Sequence, residues 1–86
     1  MSADIRIQAD DAKRLKNDTA FQTFVDDVRE EQMRIFANSA ASDIEMREEA
    51  HAILRALNKI GDALDAAIAA EVILDRKQRN WHRGSD

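Results

Sequence analysis

Eighty-six residues carrying thirteen Lys and Arg against seventeen Asp and Glu, for a net charge of −4, allow one small domain and exclude two independent cores. The absence of cysteine excludes disulfides, thiolate metal sites and cysteine nucleophiles, and no apolar run approaches the roughly 20 residues of a membrane span. With no proline and two glycines, 35% charged and 44% apolar, the chain is expected to be helical almost throughout; with no hydrophobic signal segment at its start, it is expected in the cytoplasm.

Residues 1–8 (MSADIRIQ) alternate loosely around Ile5 and Ile7 and read as an extended N-terminal arm. Asp10 then caps a short helix to about Lys16, with Leu15 its only large apolar anchor. A second helix is predicted from Asp18 or Thr19 to about Ala37. Its Phe21, Phe24, Val25, Val28 and Ile35 share a sector of roughly 100° at helical spacing. Residues 38–42 (NSAAS) break the pattern, and Ser42 with Glu45 forms a capping-box signal for a third helix.

That third helix is predicted over about 43–78, with acids in its first turns as the macrodipole favours. Ala50, Leu57, Leu64 and Glu71 form one seven-residue series and Ile53, Ile60, Ala67 and Leu74 another, with Leu54, Ile68 and Val72 widening the stripe. Gly61 lies close to the stripe and is either a tolerated weak spot, costing about 1 kcal/mol against alanine, or the favoured alternative, a close helix crossing. A five-residue connection makes the second and third helices antiparallel neighbours. The second, about 30 Å long, then covers the third, about 54 Å long, only as far as Gly61. Residues 63–74 (ALDAAIAAEVIL) are left over, and although the short Asp10–Lys16 helix could fold over part of them, it offers one leucine, so a neighbouring chain is the expected cover.

The expected fold is therefore all-α. An antiparallel helical hairpin with one overlong, heptad-patterned helix and a short N-terminal helix is assembled into an oligomer. Residues 1–8 are its arm, 9–78 its oligomerisation domain and 79–86 a flexible basic tail. The expected oligomer interface comprises Phe21, Phe24, Val28, Ile53, Leu57, Ile60, Leu64, Ile68, Val72 and Leu74.

Charge is divided along the chain. Residues 43–75 hold eight acids against three bases, whereas residues 76–86 hold four bases (Arg76, Lys77, Arg79, Arg83) against Asp86. The basic end suits phosphate or partner contact, with Trp81 stacking on a base or plugging a groove, and it equally suits the C-terminus of a helix dipole. Glu48 and His51 have the Glu-x-x-His spacing of di-iron helices, but both point away from the expected core. No triad, phosphate loop or zinc cluster is present, so no enzyme, cofactor, metal or small-molecule substrate is expected. A helix-turn-helix over 9–37 would present Thr19, Gln22 and Thr23 ahead of Asp26 and Asp27, which repel phosphate.

The strings Arg14-Leu15-Lys16-Asn17-Asp18-Thr19-Ala20-Phe21-Gln22 and Asp43-Ile44-Glu45-Met46-Arg47-Glu48-Glu49-Ala50, the latter leading to Leu54-Arg55-Ala56-Leu57-Asn58-Lys59-Ile60, resemble small all-helical proteins from the packaging and head genes of tailed bacteriophages and gene transfer agents. In that setting the shape is similar to the oligomerising core of a small terminase subunit. The resemblance, over about residues 12–68, implies a ring of helical hairpins that hands over viral DNA and regulates a large packaging motor in the host cytoplasm. It also implies that Arg76, Lys77, Arg79, Trp81 and Arg83 meet DNA or the motor. Many small terminases carry a separate DNA-binding domain, for which this chain has no room. A head-assembly protein, or an adaptor or inhibitor binding one partner through residues 63–74, are the other readings.

Overall fold

A computed structural model describes the backbone of residues 2–84 and the side chains of residues 4–80. The described chain is all helical: α1 (Ser2–Asn17), α2 (Thr19–Asn38) and α3 (Ile44–Gly84). At 1.5 Å per residue α3 is a rod of about 61 Å, and α1 and α2 together reach nearly that length. The dimensions follow, 66 × 25 × 17 Å.

Both shorter helices run antiparallel to α3. Arg6 reaches Asp75 while Lys16 reaches Asp65, so α1 descends along the C-terminal half of α3. Arg29 reaches Asn58 while Arg47 reaches Ser39, so α2 continues down the N-terminal half. The two short helices thus point the same way, end to end on one side of the rod, and do not cross as a helix-turn-helix requires.

Local chemistry sets the joints. Asp18 is a one-residue break between α1 and α2, extended at φ −77° and ψ 113°, whose carboxylate accepts the Phe21 N–H at 2.9 Å. α2 ends at Ser39, whose hydroxyl donates to the Phe36 carbonyl at 2.7 Å. The Ser42–Glu45 capping box does not form. Asp43 stands at the cap instead: its carbonyl accepts the Arg47 N–H at 3.0 Å and its carboxylate accepts the Ala40 N–H at 2.9 Å. Arg47 clamps the turn from above, 4.3 Å from the centroid of Phe36 and 3.2 Å from the Ser39 hydroxyl.

Three further expectations are corrected. Residues 2–8 are the first two turns of α1 and not an extended arm, and Asp10 lies inside that helix instead of capping it. The backbone of residues 79–84 continues α3, because no proline or glycine interrupts it before Gly84. Side chains of Trp81 and Arg83 lie outside the described residues. At Gly61 an added Cβ would meet nothing within 4 Å, so the glycine does not mark a close crossing.

Candidate assembly surface

The seam of α3 that faces the other helices follows a 3-4 rhythm through Arg47, Ala50, Leu54, Leu57, Gly61, Leu64, Ile68, Glu71 and Asp75, all at least half-buried except Gly61. This is one of the two series expected, flanked differently. Leu54 and Ile68 join the 50-57-64-71 series, and the 53-60-67-74 series lies about 80° round from the centre of the seam. Apolarity alone misplaces the phase, because the seam ends on two acids. Glu71, only 14% exposed, accepts Lys13 at 2.8 Å and lies 3.6 Å from Arg6. Asp75 accepts Arg6 at 2.8 Å.

α1 therefore covers the seam side of residues 63–74, where a neighbouring chain was expected. It does so with small residues and charge: Ala9 and Ala12 are buried on its inner face, and Arg6, Lys13 and Lys16 reach across to Glu71, Asp75 and Asp65. Hydrogen bonding to Asp75 holds the Arg6 guanidinium above its ordinary pKa, and hydrogen bonding to Glu71 does the same for the Lys13 ammonium.

The two flanks of this seam differ. On one, Arg29 donates to Asn58 at 2.9 Å and Lys16 to Asp65 at 2.6 Å, with Asn58 and Asp65 seven residues apart on α3. Arg6 and Lys13, seven apart on α1, reach Glu71 and Asp75 from the same side. The opposite flank has no ion pair between helices among the described residues. On it lie Met46 (50% exposed), Ile60 (47%) and half-buried Ile53, Ala67 and Leu74 from α3, with Phe24 (71%) and Val28 (39%) from α2 and Leu15 from α1. Near the turn, Glu31, Asn38 and Met46 line one shallow hollow, which places the corresponding edges of α2 and α3 on the same side.

The ten residues expected at an oligomer interface divide accordingly. Phe21, Leu57, Leu64 and Ile68 serve the intramolecular seam, half-buried. Phe24, Ile53, Ile60 and Leu74 lie on the apolar flank with Val28 at its border, and Val72 lies on the ion-paired flank, 46% exposed. Glu71 and Arg47 are the residues that sequence reasoning missed. Glu71 is discernible as an acid inside a heptad series, but its partners stand 58 and 65 positions away. Nothing in the sequence joins Arg47 to Phe36.

Arg76, Lys77 and Arg79 are exposed on the last turns of α3. Glu48 and His51 are exposed, and among the described residues no three His, Asp or Glu side chains gather as metal ligands. No described helix is long and apolar enough to cross a membrane.

The core is slight. Ala9, Ala12 and Ala50 are the buried apolar residues, and among the described residues no large side chain is fully buried. The Cα radius of gyration is 19.0 Å, where a compact chain of this length has roughly 12 Å. The accessible surface is 6862 Å², where a compact monomer of this mass exposes about 5,100 Å².

No protein-family model matches the chain, and neither a curated protein nor a solved structure matches it.

Proposed function

We propose that this chain is a non-enzymatic helical module that works by self-assembly. The observation carrying this reading is the missing core: a fold that fully buries no large side chain among the described residues, and exposes Phe24, Met46 and Ile60 along one flank, gains its apolar burial from further copies. The surplus accessible surface, about 1,700 Å² per chain, exceeds the roughly 800 Å² that each partner contributes to a standard interface.

Within that reading the assembly is a packaging factor of the small-terminase kind, as the resemblance in residues 14–22 and 43–60 implies, acting in a host cytoplasm. Its basic end, with Arg76, Lys77 and Arg79 exposed and Trp81 and Arg83 following, engages DNA phosphates or a packaging-motor subunit. A head-assembly role uses the same assembly without the DNA. The adaptor reading rests on a different observation, the exposure of Val72 (46%) and Ile73 (51%), and has a chain completed by one partner protein.

Absolute solution mass by light scattering at 0.1 and 1 M salt tests the reading. A defined multiple of 9.7 kDa that persists in high salt is expected, since apolar burial is not screened. A monomer at both salts overturns it in favour of the adaptor. For the nucleic-acid contact, replacing Arg76, Lys77, Arg79 and Arg83 together by Gln is expected to abolish DNA binding and flatten its salt dependence. Binding that is unchanged removes DNA from the reading.

A further inference from the structure

The two ends of α3 have opposite charge, and the apolar flank runs between them. Glu45, Glu48 and Glu49 are exposed near its start, Arg76, Lys77 and Arg79 near its end, and none of the six is ion-paired among the described residues. The flank itself is a seven-residue series, Met46, Ile53, Ile60, Ala67 and Leu74, with Ile60 at its midpoint.

We infer that the apolar flank docks a second copy of this chain with the two α3 helices antiparallel, the two-fold axis passing beside Ile60. This specifies the contact behind the self-assembly proposed above and rests on that reading. Three physical arguments converge. Of these charges Glu49 and Lys77 border the series, each within about 60° of it, so an antiparallel pair brings Glu49 of each α3 toward Lys77 of the other, whereas a parallel pair stacks like charge on like. A two-fold operation brings Met46 opposite Leu74, Ile53 opposite Ala67 and Ile60 opposite its own copy, so every level of the contact pairs apolar with apolar. The surplus surface also exceeds what such a contact needs, while the opposite flank already holds the ion pairs to α1 and the Arg29–Asn58 bond, which leave it polar. Phe24 and Val28 of α2 complete the edge of the docking face, giving a four-helix cross-section at the α2 end of each copy.

The chain has no cysteine, so single-cysteine variants give an unambiguous cross-linking readout. Under mild oxidation Ile60→Cys is expected to form a disulfide-linked dimer. Met46→Cys is expected to cross-link only when mixed with Leu74→Cys, and Ile73→Cys, on the outer face, not at all. Self-cross-linking by Met46→Cys, or by Ile73→Cys as readily as by Ile60→Cys, overturns the inference. A second measurement avoids dependence on disulfide geometry. Phe24→Asp, at a 71% exposed position that leaves the monomer fold untouched, is expected to weaken association about tenfold or more, and Val72→Asp on the other flank to leave it unchanged. The reverse order of effects overturns the docking face. A wild-type oligomer with either contrary result refutes only this inference, whereas a wild-type monomer refutes the self-assembly reading itself.

Discussion

The α1 half of the molecule and the α2 half pack against the same helix by different means. α1 brings buried alanines, Ala9 and Ala12, and three cations that reach Glu71, Asp75 and Asp65. α2 brings Phe21, Val25 and Ile35, half-buried, and shows no ion pair to α3 among the described residues; one Arg29–Asn58 hydrogen bond and the Arg47 clamp supply its polar contacts. Small residues let helix axes approach and make the α1 contact sensitive to volume, whereas exposed charges contribute little each and weaken in salt. The difference teaches that α1 is the conditional half: it is held by two buried alanines and by exposed charge pairs that salt weakens, while α2 is held by larger apolar side chains that are half-buried.

Four changes break or sharpen that contrast. The largest effect is expected from Ala12→Leu, at a position 3% exposed, where overpacking costs about 1–3 kcal/mol. Amide exchange is expected to show α1 released while α2 keeps its protection, and equal loss in both helices would mean that the halves unfold as one unit. Arg47→Ala comes next. It removes the contact with the Phe36 ring and the bonds to Ser39, and a loss of about 1 kcal/mol is expected in urea unfolding, confined to the α2 half. An unchanged midpoint would show that Ser39 and Asp43 hold the turn without it.

Gly61→Ala acts at the joint between the halves and is expected to stabilise by about 0.5–1 kcal/mol, because the space is open and glycine is costly in a helix interior. Destabilisation in thermal unfolding would show that another surface approaches the helix there.

The smallest effect is ionic. Raising salt from 0.1 to 1 M is expected to speed amide exchange in α1 modestly and leave α2 alone. The pH dependence has a defined sign. Lys13 is raised above its ordinary 10.5 by Glu71, so its contribution is fully present below that value and is lost as pH rises through the higher folded-state value. α1 protection, corrected for intrinsic exchange, is therefore expected to stay level from neutrality to about pH 10 and to fall beyond it. A fall already complete by pH 9 would remove Lys13 as the cause.

Much of this was legible from residues close together in sequence. Asp18 ahead of Phe21 marks the start of α2, the polar run 38–42 marks the turn, and acids ahead of a heptad pattern mark the start of α3. The basic composition of the end was legible, but not the continuation of α3 through residues 79–84, where a flexible tail was expected. Less visible were the first turns of α1, where Ile5 and Ile7 imitate a strand, and the phase of the α3 seam. In both cases the deciding residues are charged. Arg6 acts on Asp75 sixty-nine positions away, and Glu71 takes a seam position because Lys13 meets it there.

By itself the sequence determined a largely helical chain, its two breaks and the amphipathic character of its helices, because capping, propensity and 3.6-residue periodicity act within a few positions. The tertiary structure alone decided that α1 lies over residues 63–74, that the seam ends on paired charges, and that one flank of the rod is left apolar. Those outcomes depend on which side chains meet across dozens of positions, and hydrophobic periodicity carries no information about where a charge finds its partner.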